Sequence, residues 1–222
     1  MDNNIAGLVV SFIFLGSIIV FAIALGKFAK VSSETVRKIV HVGVSNWWFV
    51  EMFYFTQLKF ALVGPIVFII TNSLFTFLDW GKAIGFDDRK RNYGLIYFPV
   101  TLLLLVLLQY NGFLSSLACL IGVLVMGYGD GFAALIGKKW GKKKLPIPSG
   151  GKTYVGTLAM FLISLTISLV LILTLSSLPL ATAVGVSLLI GAVASLIEAI
   201  TPLGIDNLSV PLICAFIAGV FV

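Results

Sequence analysis

The sequence predicts an all-α fold, a polytopic transmembrane helical bundle of seven or eight spans, and three observations predict it. Hydrophobic residues fill 59% of the 222 positions and charged residues only 11%, against roughly 45–50% and about 25% in soluble globular domains. The apolar text divides into runs close to the roughly 20 residues that one helical crossing requires. The basic residues collect in alternate gaps between those runs. The 22 Gly and 7 Pro are dispersed through apolar text, which excludes disordered and low-complexity readings. The spans use up the chain, so residues 1–222 are read as one integral membrane domain.

In chain order the runs lie at about 5–26, 39–56, 58–78, 93–110, 112–137, 153–175, 178–200 and 207–222. The first has no basic segment before it and is longer than the apolar stretch of a cleavable signal, so it is read as a retained span. The second carries Trp47, Trp48 and Glu51; its two Trp residues, with Tyr54 and Phe55, read as an interfacial aromatic belt. The fifth and the last each contain one cysteine, Cys119 and Cys214, placed as small hydrophobes. Gly122, Gly185 and Gly191 offer small packing faces; the oligomeric state is left open. The last run is short, and seven spans result if it is re-entrant.

Charge sets the sidedness. Lys27, Lys30, Arg37 and Lys38 follow span one; Lys82, Arg89, Lys90 and Arg91 follow span three; Lys138, Lys139, Lys142, Lys143, Lys144 and Lys152 follow span five, and only Lys59 falls elsewhere. Cytoplasmic loops carry such an excess of Lys and Arg. The net charge of +6 is therefore a topological feature that also attracts anionic lipid, and nucleic acid is not an expected partner.

An ionisable group inside a bilayer costs on the order of 3 kcal/mol or more, so each one needs a reason. The candidates are His41, Glu51, Asp79, Asp130, Glu198 and Asp206, and all but Glu51 fall toward the basic, cytoplasmic side. Asp130 stands among glycines in Gly127-Tyr128-Gly129-Asp130-Gly131, where a helix or a phosphate can approach closely; pairing with a lysine, metal ligation and proton abstraction are its possible roles. Ser149-Gly150-Gly151-Lys152-Thr153 stands at the start of a span, where free N–H groups and the helix dipole favour an anion. It is not a Walker A loop, because Pro146 occupies the position of the first glycine. Asp206 either caps the last helix or supplies a second carboxylate, and two acids beside a basic, glycine-lined pocket suit Mg²⁺ with a nucleoside triphosphate. Arg37 and His41, four residues apart, share a helix face with Lys38 nearby; His41 is either a hydrogen-bonded structural residue or, with Arg37, a phosphate donor.

These blocks resemble the dolichol kinase, phytol kinase and CTP-dependent diacylglycerol kinase family. The resemblance rests on Arg37-Lys38-Ile39-Val40-His41, on Gly129-Asp130-Gly131 through Gly137-Lys138 and Trp140-Gly141 to Lys152-Thr153 and Gly156, and on Glu198 with Asp206-Asn207 and Pro211. It covers essentially the whole chain, and the length is similar to that of the short, phytol-kinase-type members. The central block is shared with CDP-diacylglycerol synthases, but nothing like their His-Gly-Gly ending follows Ile190.

The resemblance implies a lipid kinase that moves the γ-phosphate of CTP, or of another nucleoside triphosphate, to the hydroxyl of a membrane lipid alcohol such as phytol, farnesol, geranylgeraniol, polyprenol or diacylglycerol. It implies Mg²⁺ as cofactor and a catalytic set of Asp130, Lys152, Arg37 and His41. Phosphate-binding positions would be Gly129, Gly131, Gly137, Lys138, Gly141, Gly150, Gly151, Lys152, Thr153 and Gly156, and metal ligands Asp130, Glu198, Asp206 and Asn207. The active site would face the cytoplasm. The alternatives are a cytidylyltransferase, which would leave CMP on the lipid, and a lipid transporter, which would yield no triphosphate-dependent product.

Overall fold

The computed structural model describes residues 2–28, 31–78, 89–147 and 151–222. Lys30, Asp79, Lys82, Ser149 and Gly150 therefore lie outside the described residues, as do the side chains of Arg89, Lys90 and Arg91. Ten helices form in the described parts: α1 (Asn3–Phe28), α2 (Ser33–Ser45), α3 (Trp47–Tyr54), α4 (Leu58–Ala61), α5 (Val63–Phe77), α6 (Arg89–Tyr110), α7 (Ser116–Trp140), α8 (Tyr154–Leu175), α9 (Leu180–Ile200) and α10 (Asp206–Gly219). The all-α bundle is as expected.

Among the described residues, six helical stretches are long and apolar enough to cross a membrane: α1, α4 with α5, α6 from Tyr93 onward, α7, α8 and α9. The other two expected spans take different forms. The second is divided at Asn46, whose Nδ2 donates to the Val42 carbonyl at 2.8 Å while its Oδ1 accepts from Tyr128 Oη at 3.0 Å; such side-chain bonds to local backbone compete with helix continuation. The last, α10, has 14 residues, about 21 Å at the usual rise per residue and short of the roughly 30 Å hydrocarbon core.

One helix organises the rest. From Ala118 to Met126, α7 is buried on every side, as a helix that is apolar all round must be. Ser115 caps its start by accepting from Ala118 N at 3.0 Å, and Lys138 and Lys139 sit in its last turn, where cations suit the dipole. Its glycines point different ways. A side chain at Gly127 or Gly131 would collide with Ser45 or Val42 of α2. One at Gly129 or Gly137 would meet Met160 Sδ at 2.5 Å or Thr153 Oγ1 at 2.9 Å, on the α8 side, and one at Gly122 would strike the Pro211 carbonyl of α10. Small residues at such spacings let helix backbones approach closely within a membrane. Gly191 serves α8 in the same way, against Phe161 and Leu165, whereas Gly185 has nothing within 4 Å.

The aromatic belt expected in the second span is a correction. Trp47 and Trp48 are buried, at 1% and 0% exposure, and Phe55 is buried as well. Trp47 Nε1 donates to Ser11 Oγ at 2.9 Å and Trp48 Nε1 to the Ser116 carbonyl at 3.2 Å. Inside the bundle each indole N–H finds a protein acceptor, so these residues staple α3 to α1 and α7 instead of marking an interface. Glu51, on the same helix, is fully buried and accepts from Gln109 Nε2 of α6 at 3.0 Å. Cys119 and Cys214 are free and buried.

The two kinds of glycine make opposite predictions. Gly122→Ala places Cβ against the backbone of Pro211 and Ala215, which has no side-chain freedom to yield, so it is expected to destabilise the protein by about 1–3 kcal/mol, the usual cost of overpacking. Gly185→Ala, with open space around it, is expected to be neutral or to stabilise by up to about 1 kcal/mol through helix propensity. Thermal denaturation in detergent reads both.

Candidate active site

Four segments of the chain meet in one place. α7 brings Asp130, α9 brings Glu198 near its end, α10 brings Asp206 in its first turn, and the residues just before α8 bring Lys152. One carboxylate oxygen from each of Asp130, Glu198 and Asp206 lies within 4.8 Å of the other two, and all three residues are buried. Three acids this close repel one another unless cations intervene.

Lys152 supplies the central positive charge. Its Nζ lies 3.0 Å from Glu198 Oε1 and 3.1 Å from Asp206 Oδ2. It also donates to the Thr201 carbonyl at 3.3 Å and to the Glu198 carbonyl. Burial works against this ammonium, but the charges of Asp206 and Glu198 and their hydrogen bonds outweigh it and hold its pKa above the ordinary lysine value. The backbone fixes its origin. Leu145 N donates to the Lys152 carbonyl at 2.8 Å and Tyr154 N to the Lys143 carbonyl at 3.3 Å, so the two ends of the basic loop pair across Lys144 and Thr153. Gly151 turns the chain at φ +90°, a conformation that favours glycine. Thr153 then caps α8, its Oγ1 accepting from Gly156 N at 3.1 Å.

Asp130 has its own cation. Lys38 of α2 donates from Nζ to Asp130 Oδ2, with the two side chains 12% and 10% exposed. Lys38 is a residue that reasoning from the sequence left out of the site, although it sits inside the Arg37 to His41 block. His41 Nε2 lies 3.8 Å from the same oxygen, and its ring meets Phe98 of α6 edge-on at 4.6 Å. That nitrogen is buried and has no hydrogen-bond partner among the described residues. Asp206 Oδ1 accepts from Asn207 N at 3.0 Å and from Asn207 Nδ2 at 3.1 Å. Of the two roles weighed for Asp206 the capping one does not form, because Ile205 holds the N-cap position of α10 with no side-chain cap hydrogen bond and Asp206 is the first helical residue; its carboxylate joins the acidic cluster.

The cluster opens into a cavity of about 580 Å³, within the range of small-molecule sites. Arg37, Lys38, His41, Asp130, Glu198 and Asp206 face it, as do Gly137, Lys138, Gly151, Lys152, Thr153, Gly156 and Asn207. Lys138 stands at its rim, paired with Glu34 Oε2 at 3.1 Å. Gly129, Gly131 and Gly141 do not line it. The first two meet α8 and α2, and Gly141 ends α7 against Thr153; their smallness is used in helix packing. Thr157, one turn beyond the Thr153 cap, was not anticipated; it lines the cavity with a buried hydroxyl that has no partner among the described residues. Its spacing of four from Thr153 was the available signal.

Comparison with known proteins decides the family. The chain is 30% identical over 216 residues to Phytol kinase of Synechocystis sp., an alignment covering 92% of this chain and 87% of that protein. The chain belongs to the phytol kinase family. Among plant members it is 28% identical over 200 residues to Probable phytol kinase, chloroplastic, of Triticum aestivum, covering 82% of this chain and 65% of the relative. It is 30% identical over 197 residues to Probable phytol kinase 2, chloroplastic, of Glycine max, covering 82% and 63%. The chain thus spans a little under two thirds of these plant kinases. No family model and no solved structure matches it.

The Lys38–Asp130 pair is testable by stability alone. Lys38→Met leaves a buried carboxylate without its cation, a loss of about 3–5 kcal/mol for buried pairs, reduced here by the open side of the cavity. The double variant Lys38→Met/Asp130→Leu removes both charges and is expected to recover most of that loss. A double-mutant cycle from thermal or denaturant unfolding in detergent measures the coupling.

Proposed function

We propose that this protein transfers the γ-phosphoryl group of a nucleoside triphosphate, CTP, to the hydroxyl of a membrane lipid alcohol of the phytol class. Family membership supports a lipid-alcohol kinase activity, through the relatives named phytol kinase. The observation that carries the reading to this site is the cluster of three buried carboxylates facing a cavity with basic walls. CTP as donor rests on the resemblance of the sequence blocks to CTP-dependent lipid kinases.

The donor set fits Mg²⁺. All three candidate ligands are carboxylate oxygens within 4.8 Å, and Mg²⁺ takes hard oxygen ligands, commonly one or two carboxylates with the rest from phosphate and water. Glu198 and Asp206 would hold it, with Asn207 orienting Asp206 and Asp130 beside them. When bound, the ion would neutralise phosphate charge.

The remaining work belongs to side chains. Phosphoryl transfer needs mostly positioning and charge stabilisation. Arg37 and Lys138, facing the cavity from α2 and α7, bind phosphate oxygens, and the start of α8 behind Lys152 adds a helix N-terminus. The acceptor oxygen attacks the γ-phosphorus, the bond to the β–γ bridging oxygen breaks, and the hydroxyl proton passes to a carboxylate of the cluster. Asp130 takes that role through the oxygen that Lys38 does not occupy, the Lys38 contact holding the carboxylate in position. His41, with an unpartnered Nε2 beside Asp130, orients the acceptor hydroxyl. The cavity lies at the end of α7 that carries Lys138 and Lys139 and leads into the basic loop, so on the positive-inside rule it opens to the cytoplasm.

Detergent-purified protein supplied with Mg²⁺, γ-labelled CTP and a pool of phytol, geranylgeraniol, polyprenol and diacylglycerol is expected to move label into a lipid monophosphate. Asp130→Asn is expected to lower kcat at least about 100-fold, the lower end of what positioned acid–base groups contribute, and chelation of divalent cations is expected to abolish transfer. Full activity of folded Asp130→Asn would remove Asp130 from the chemistry. Label absent from every lipid with γ-labelled CTP, but present from α-labelled CTP and phosphatidate, would replace the kinase with a cytidylyltransferase.

A further inference from the structure

We infer that Lys152 and a divalent cation are alternative occupants of the acidic cluster, and that a bound triphosphate admits the metal by drawing Lys152 away. The inference rests on the metal and triphosphate reading just proposed and adds how the two bind. Lys152 Nζ stands at 3.0 and 3.1 Å from Glu198 Oε1 and Asp206 Oδ2, and the cluster of which these carboxylates are part is only 4.8 Å across. An ion ligated by carboxylate oxygens at about 2.0–2.1 Å takes the space and the lone pairs that the ammonium uses. Two cations held that close would also repel strongly.

The ammonium has somewhere to go. Lys152 lies on the cavity wall, its backbone is pinned by the Leu145–Lys152 hydrogen bond and the Thr153 cap, and four methylene groups let the charge swing while the backbone stays in place. Phosphate oxygens in the cavity are the natural acceptor. Leaving without them would strip a buried ammonium of its contacts with both carboxylates and with the Glu198 and Thr201 carbonyls. Anion and metal therefore favour each other, and linkage makes the effect reciprocal. Lys38 differs, because its hydrogen bond goes to Asp130 and not to the pair that Lys152 bridges.

Binding of Mn²⁺, measured by electron paramagnetic resonance on the purified full chain with and without the β,γ-methylene analogue of CTP, tests this without turnover. Wild-type protein is expected to bind Mn²⁺ weakly alone and at least about tenfold more tightly with the analogue, within the roughly 5–150-fold range of coupled sites. Lys152→Met is expected to bind Mn²⁺ alone about tenfold more tightly than wild type and to lose most of the enhancement. Lys152→Gln gives a second, polar variant if the methionine variant does not fold, and the wild-type comparison reads the coupling with no variant at all. Equal wild-type affinity with and without the analogue, or a folded Lys152 variant that binds Mn²⁺ no more tightly than wild type, overturns the inference and leaves the proposed kinase standing. Failure of wild type to bind Mn²⁺ even with the analogue overturns the metal and triphosphate reading itself, and this inference with it.

Discussion

The cost of burying three carboxylates in one small volume governs the rest of this structure. Asp130, Glu198 and Asp206 come from three helices, and each would be expensive in an apolar bundle without a cation close by. Lys152 and Lys38 meet that need, one reaching in from the loop before α8 and the other from α2. α2, α7, α8, α9 and α10 are thereby tied to a common electrostatic centre. A buried ion-pair network of this kind is a poor source of net stability compared with apolar packing, and its presence in a chain with 59% hydrophobic residues is more readily explained by chemistry than by folding.

Close helix approach makes the arrangement possible. α7 must touch α2 on one side and α8 on another while projecting Asp130 between them. Gly127 and Gly131 clear the way for α2, and Gly129 and Gly137 clear it for α8. The glycines around Asp130 read equally well from the sequence as a cradle for phosphate or as a packing device. The structure places Gly129 and Gly131 in the second role, and the glycines of the cavity wall are Gly94, Gly137, Gly151, Gly156 and Gly204. Composition cannot separate these uses, because the absence of a side chain serves both, and only the direction of the missing Cβ distinguishes them.

The fold class was legible because hydropathy and charge bias act on every residue. From the residues alone Asp130, Glu198 and Asp206 shared only a membrane edge, and the family resemblance grouped them as ligands; three helices had to be oriented before a distance existed. Trp47 and Trp48 misled for a related reason: a Trp pair followed by Tyr54 and Phe55 has the composition of an interfacial belt, and nothing local reveals that Ser11 and the Ser116 carbonyl wait 36 and 68 positions away. Lys38 was overlooked beside Arg37 and His41 because its partner is 92 positions distant. Thr157 carried a weak signal in its spacing from Thr153, but a hydroxyl at that spacing more often bonds the preceding turn of its own helix, as Thr166 and Thr174 do.

The joint between α9 and α10 shows how local backbone serves the centre. Glu198 and Asp206 are eight positions apart, yet both bond one ammonium, so the chain must reverse between them. It does so at Pro202-Leu203-Gly204, where Leu203 and Gly204 both adopt positive φ, at 58° and 81°. A leucine in that region is strained, and the turn is held in place from outside: a Cβ on Gly204 would lie 2.9 Å from Gly94 Cα of α6, and Thr101 of the same helix donates from Oγ1 to the Asn207 carbonyl at 2.8 Å. α6 contributes no acid to the cluster, but by clamping this turn it sets the distance between two of the three. Helices that carry no candidate ligand thus share in the geometry of the site, because a carboxylate in a thin-walled bundle is only as well placed as the turn that presents it.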